Sequence, residues 1–580
     1  MKIISLRCYI SLLLTLLSGC SGPAINPARY EIAAQVKTTR EEVITFSRLS
    51  SAAHPWDVRQ LLDEGFGGWT LAPGIDDGKR VDLMPASYHP APSSRNKKIL
   101  SFMVMTDVHI TDKETPSQPL FLAKLHENKS IGAYSPVMLY STQVLDAAIQ
   151  TINRLHKQEP MDFLISLGDV ANDGQYNELR WYLDLLDGKV IIPSSGAHAG
   201  AGSIDYQKPF TAAGLDTTIP WYQAIGNHDH FYFGAVTMDD RLRTSFIGDT
   251  IMEMSDPYGN KEFSLYKSPK YYSGTIDGST PYGAIIHVGP VTDPLFAAGA
   301  PKVTADPQRR SLTRKQWMTE FFATGSLPVG HGFSPANLDN DFACYSFIPK
   351  GDLPVKVIVL DDTSDESISG KNIGGRGFLN EQRYTWLVKE LDAGQANDQL
   401  MIVAAHIPLG VEKIGAPLSW DDKNSFVTEK ALIAKLQSYP NLLLWIAGHR
   451  HLNVVKAFVS PDNRRPELGF WQVETSSLRD FPQQMRRFDL FVNEDTAVSI
   501  LVTDIDPAVK EGTPAATSRS YAVLTEQKYP HPRTYQAGCD KDPTLLYCSD
   551  RSIRQIPFGS YNAELLKKVA PSMAARLKAL

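Results

Sequence analysis

Five apolar runs, at residues 99–105, 163–167, 221–225, 401–405 and 442–447, each break off into a short polar turn. Runs of five to seven residues bounded in this way read as buried strands. Further strands are expected at 355–360, 470–473, 488–492 and 497–502. Helical spacing marks 136–156, where Leu145, Ile149, Ile152 and Leu155 recur, and also 176–186, 381–391 and 428–436. Strands alternating with helices predict a layered α/β domain over residues 99–506 rather than a helical bundle.

The flanks are patterned differently. Residues 20–98 hold no sustained period and are read as a tether plus an N-terminal extension. Residues 193–206 carry Ser-Ser-Gly and Ala-Gly-Ala-Gly and predict a loop. The stretch 231–351 is too long for a structureless connection, so a cap folding over the domain is expected there. In the extension 507–580, Leu565, Val569, Met573 and Leu577 fall on one stripe, predicting a helix over 561–580 that Pro571 kinks or splits.

The chain begins with Lys2 and Arg7, a Leu-rich stretch and then Ser18-Gly19-Cys20. A basic start, a short apolar core and small residues describe an export signal over 1–19. Leu17-Ser18-Gly19-Cys20 resembles a bacterial lipoprotein cleavage box, which implies acylation of Cys20 and a lipid anchor in the cell envelope. Ser21, in place of Asp, favours the outer membrane over the inner. The alternative is a secreted protein in which Cys20 is incidental. Cys539 and Cys548 are close enough in sequence to pair, and Cys344, among aromatic residues, is expected as a buried thiol.

A hydrophobic share of 43% and a charged share of 21% suit a soluble globular fold. The net charge of −6, without a Lys/Arg-rich run, argues against a nucleic-acid partner.

The polar turns carry the chemistry. They read Asp107-Val108-His109, Gly168-Asp169, Gly226-Asn227-His228-Asp229, His406 and Gly448-His449-Arg450-His451. Ligands of α/β sheets gather at the carboxyl ends of strands. Asp and Asn oxygens with His nitrogens suit Mn, Fe or Zn, and the absence of cysteine argues against a closed structural zinc site. So many ligands exceed one tetrahedral ion and fit two ions that share a carboxylate.

In this order the five blocks resemble the calcineurin-like metallophosphoesterase superfamily over residues 107–451. The resemblance implies a β-sandwich core flanked by helices and two divalent or trivalent ions. It assigns Asp107, His109 and His451 to one ion, Asn227, His406 and His449 to the other, and Asp169 to both. It makes His228 a non-ligand acid beside the leaving oxygen. Where many members carry an Asp to orient that histidine, this chain has Asn172, with Asp173 beside it. His230 and Arg450, flanking ligand positions, and His331 in the insertion are candidates for substrate contact. Asp361 and Asp362 match no block and are expected to hydrogen-bond their own loop.

The implied activity is hydrolysis of a phosphate mono- or diester by a metal-bound hydroxide, on a small-molecule or lipid-derived substrate. The alternatives are a metal-dependent nuclease and a non-catalytic binding lipoprotein on the same scaffold.

Overall fold

Strand residues alternate between two apolar environments, and the alternation builds the layers. In Val355–Val359, Val357 and Val359 enter one core cluster while Ile358 enters another. Leu400–Ala404 divides Ile402 and Ala404 from Met401 and Val403, and Leu442–Ala447 divides Leu444 and Ile446 from Trp445 and Ala447. The first cluster also takes Phe102, Val104 and Phe488 from a second sheet, so it is the filling of a sandwich.

This is a computed structural model, and it describes residues 27–89, 95–126, 132–256, 266–351, 353–368, 375–411, 420–529 and 559–580. Cys20 and the residues before it, and Cys539 with Cys548, lie outside the described residues.

In chain order the sandwich strands are β1 (Gly78–Leu83), β2 (Arg95–Met105), β3 (Phe163–Ser166), β4 (Trp221–Gln223), β5 (Tyr345–Phe347), β6 (Val355–Val359), β7 (Leu400–Ala404), β8 (Leu442–Ala447), β9 (Val454–Phe458), β10 (Phe470–Glu474), β11 (Met485–Asn493), β12 (Val498–Ile505) and β13 (Ala563–Lys567). One sheet has seven strands in the order β1-β13-β12-β11-β2-β3-β4, the other six in the order β5-β6-β7-β8-β10-β9. Within them, β2-β3-β4 and β6-β7-β8-β10 are parallel runs. Helices α1 (Ser141–Gln158) and α2 (Tyr176–Leu186) pack into the core of the seven-stranded sheet. Helices α3 (Glu381–Ala396) and α4 (Glu429–Leu436) cover the outer face of the six-stranded sheet through Leu387, Leu391, Leu432 and Leu436. Asn380 and Thr428 cap them, their side chains accepting from the Arg383 and Ala431 amides. The layered α/β sandwich expected from the pattern is the observed fold.

The tail departs from expectation. Instead of one helix over 561–580, it forms the strand β13 and then the helix α5 (Pro571–Lys578). β13 is buried at every position, between β12 and β1, where sheet hydrogen bonds outweigh the helical stripe. Pro571 starts the helix rather than kinking it, because a first-turn residue needs no amide donor. Both extensions thus donate strands to the main sheet. The 231–351 insertion carries its own antiparallel sheet of Glu253–Ser255, Lys270–Ile276 and Ile285–Pro290. Among the described residues, no helix is long and apolar enough to cross a membrane. Cys344 is a buried free thiol, and burial pushes it up to about 12.

Candidate metal centre

The parallel strands of both sheets end on a common edge, and the polar turns meet there. β2, β3 and β4 lead into Asp107 and His109, Asp169, and Asn227 and His228; β7 and β8 lead into His406, and His449 and His451. Contacts cross from sheet to sheet. The His449 amide donates to Asp107 Oδ2 at 2.9 Å, and the His406 ring Nδ1 lies 2.8 Å from the Leu167 carbonyl.

Five of these residues adopt the left-handed backbone region: Asp107 (φ 52°), His109 (47°), Asp169 (52°), His449 (70°) and His451 (57°). Each such residue costs roughly 1–2 kcal/mol for an L-amino acid, although Asp and His tolerate the region better than most. Strain concentrated in one cluster marks a site whose geometry outranks local comfort. The glycines of the turns follow from crowding. A Cβ on Gly168 (φ 99°) would stand 2.4 Å from the Gly226 amide nitrogen, and one on Gly448 would stand 2.4 Å from Asp107 Oδ2.

The polar atoms converge in overlapping groups: Asp107, His109 and His451; Asp169, His406 and His449; and His109, Asp169 and His228, with the potential ligand atoms of each group within 4.8 Å of one another. His451 Nε2 is 3.3 Å from Asp107 Oδ1, and His406 Nε2 is 3.2 Å from Asp169 Oδ2. Asn227 Oδ1 joins the cluster at 2.9 Å from His406 Nε2 and 3.1 Å from His449 Nδ1, while its Nδ2 donates to the Gly234 carbonyl. Asp107 Oδ1, both His109 nitrogens and His449 Nε2 are buried without a hydrogen-bond partner. Orphaned buried polar atoms are rare and call for an explanation. Two of them, Asp107 Oδ1 and His109 Nε2, lie 3.9 Å apart within the same group of potential ligand atoms.

Electrostatics agree. Burial, reinforced by His228, drives His109 well below the usual imidazole range; burial and His406 do the same to His449. Both rings are therefore neutral and able to donate lone pairs. Burial also works against protonation of His406 and His451, but Asp169 and Asp107 outweigh it and raise His406 to about 10, and Asp107 and Asp480 raise His451 to about 9. The buried carboxylates hold positive charge where they can find it. The donor set and its orphaned atoms fit metal cations.

His228 stands at the half-buried rim, its ring 4.7 Å from that of His109. Its amide donates to Asp169 Oδ1 at 2.8 Å, and its Nδ1 lies 2.7 Å from the Asn172 backbone carbonyl. The orienting acceptor is thus the main chain, not the Asn172 side chain that the sequence pointed to.

The three candidate substrate contacts are placed elsewhere. His331 is fully buried and stacked on Trp221 at 3.5 Å, with Nδ1 on the Trp221 carbonyl and Nε2 on Thr324 Oγ1. It is a core histidine, and the expectation of a substrate contact is overturned. His230 is buried too. Its Nε2 meets Thr363 Oγ1 at 2.9 Å, and burial with Arg314 lowers it to about 3. Arg450 forms a two-pronged pair with Glu474 at 2.6 and 2.5 Å, which commits its fork away from a substrate. Asp361 serves its own loop, whereas Asp362 holds the turn that follows β7. Asp361 accepts from Thr363, and Asp362 from the His406 and Ile407 amides.

Sequence reasoning missed three residues. Asp229 accepts from the amides of Asp169, Val170, Ala171 and Gly226, locking two ligand turns together. Asp480 places Oδ2 2.5 Å from His451 Nδ1. Arg479 is buried beside the cluster, with its amide on the Asp107 carbonyl and its fork on Asn172 Oδ1 and the Gly132 carbonyl. The last two follow β10, a strand that the pattern identified. Its polar turn at 475–480 was the signal, and it obeys the same rule as the other five.

The profile of the calcineurin-like phosphoesterase family matches residues 100–453. Among solved structures that match is a dimetal phosphatase from Danio rerio, at 12% sequence identity and a TM-score of 0.36, over 71% of this chain and 97% of that one. No curated protein matches the chain.

Proposed function

The chain belongs to the calcineurin-like phosphoesterase family, and we propose that its strand-end cluster holds two metal ions and hydrolyses phosphate mono- or diesters of small molecules. The observation that carries this reading is the convergence of ligand atoms of Asp107, His109, Asp169, His406, His449 and His451 in one buried cluster, with Asp107 Oδ1 and His109 Nε2 unpartnered among them. On this reading Asp107, His109 and His451 hold one ion, Asn227, His406 and His449 the other, and Asp169 serves both. Held there, two ions would supply the Lewis acidity that lowers the pKa of a water and offsets charge on phosphoryl oxygens.

The protein's own groups divide the remaining work. Asp480 on His451 Nδ1 and the Leu167 carbonyl on His406 Nδ1 fix those rings so that Nε2 faces the cluster. Asp229 holds the Asp169 turn against the Asn227 turn, so the two halves of the site keep their spacing. His228 is oriented by the Asn172 carbonyl through Nδ1, which leaves Nε2 to carry the proton passed to the leaving oxygen. Gly234 keeps that edge of the ring uncovered, since a Cβ there would stand 2.8 Å from Nε2.

The test is hydrolysis of a panel of aryl phosphate mono- and diesters by metal-loaded protein. Wild type is expected to turn over at least one class, and Asp169→Asn to lose about a thousandfold, the scale of a principal charge-stabilising group. A folded protein with two bound ions per chain and no activity across the panel would sink the proposal.

A further inference from the structure

The orientation of His228 hangs on residue 172, and residue 172 is itself held from a distant part of the chain. Arg479 Nη1 donates to Asn172 Oδ1 at 3.3 Å, while Asn172 Nδ2 donates to Asp173 Oδ2 at 3.1 Å. The amide therefore sits between a cation and an anion, both buried: Arg479 is 4% exposed and Asp173 1%. An Asn amide in open surroundings can flip, since its two ends differ only in donor and acceptor. Between a guanidinium and a carboxylate it has one satisfactory orientation. The backbone of the same residue is held by its amide on the Ile110 carbonyl at 3.0 Å, and its carbonyl meets His228 Nδ1 at 2.7 Å.

Arg479 is fixed in turn. Its Nη2 donates to the Gly132 carbonyl at 2.9 Å and its amide to the Asp107 carbonyl at 3.3 Å. Its neighbour Asp480 holds His451. One turn after β10 thus reaches both sides of the cluster, and its two arms are chemically distinct.

We infer that Arg479 is a positioning residue for His228, acting through the Asn172 side chain, whereas Asp480 positions the His451 ring. The inference rests on the acid role given to His228 above. Arg479 makes no hydrogen bond to a ligand atom of the cluster, so its loss should spare metal binding and disturb proton delivery.

Arg479→Met preserves bulk and removes the fork. The expected result is a kcat lowered at least about tenfold on phenyl phosphate, whose leaving group needs a proton, and much less on 2,4-dinitrophenyl phosphate, with KM and bound metal unchanged. Asn172→Ala keeps the backbone carbonyl but cuts the link, so it should reproduce the pattern. The double variant should then be no worse than either single one, the signature of residues acting as one unit. Asp480→Asn should behave differently, losing metal affinity by about 10- to 100-fold.

A second readout needs no activity. In metal-free wild-type protein, imidazole ¹⁵N NMR should show His228 Nδ1 carrying a hydrogen-bonded proton, and in both variants a mixture of tautomers. Equal losses for good and poor leaving groups, additive effects in the double variant, or an unchanged His228 signal would each overturn the inference. Should Arg479→Met not fold, Asn172→Ala carries the leaving-group and NMR comparisons. Wild-type protein inert on every ester would defeat the proposed function instead, and the NMR arm would still judge the link.

Discussion

The buried polar groups around Asp112 and around Asp107 are alike in burial and opposite in saturation. Around Asp112 and Arg309, both fully buried, every polar atom of the pair is used. Asp112 accepts from Asn177, Ser195, Arg309 and the Glu114 amide, and Arg309 also reaches the Thr304 carbonyl. Around Asp107 and His109, lone pairs are left over and the backbone is strained at five positions. A buried ionic cluster that satisfies itself is a strut. One that does not has been shaped for something outside the chain. Burial and charge alone would not have separated the two; the accounting of hydrogen bonds does.

The contrast can be broken most forcefully at the strut. Asp112→Ala strands the Arg309 charge and should cost about 3–5 kcal/mol in unfolding free energy, read from denaturant midpoints, with bound metal unchanged. Asp169→Asn in chelator-stripped protein should cost far less, since it removes a charge from a cluster that is short of partners. Equal costs at the two places would erase the distinction.

Metal sharpens it from the other side. Refilling stripped protein with Mn or Zn at about 100 times the dissociation constant should raise the unfolding free energy by about 2.7 kcal/mol, and Asp169→Asn should forfeit most of that gain. Stripped protein that gains no stability from either ion would mean that the leftover lone pairs are not ligands.

The smallest effect concerns acid. Asp361, paired with two buried arginines, is depressed from 3.8 to about 2; burial opposes the shift, but Arg383 and Arg314 outweigh it. A depressed carboxylate stabilises the fold above its unfolded value and loses that contribution as pH falls through its folded value. About 2 kcal/mol should therefore drain away between pH 4 and pH 2, and Asp361→Asn should flatten that part of the stability curve. A curve of unchanged slope in the variant would remove Asp361 from the account.

Much of this was legible beforehand. The strands that end in the cluster and the helix Tyr176–Leu186 stood in the pattern, because unbroken apolar runs, helical spacing and polar turns are local signals, and the family resemblance of those turns gave the seven candidate ligands. β13 was not, since its stripe also fits a helix and only its neighbours β12 and β1 decide for a strand. His331 misled because a histidine flanked by glycines looks available, and nothing local shows Trp221 stacked upon it.

The sequence by itself determined the layered fold and which residue types stand at the strand ends, since both follow from spacing along one chain. The tertiary structure decided which of those residues share a space and which polar atoms lack partners. It also decided that Arg479 and Asp480, from the sixth strand end, hold Asn172 and His451. Those contacts join residues 29 and 307 positions apart, and a hydrogen bond exists only once both its ends have been brought together.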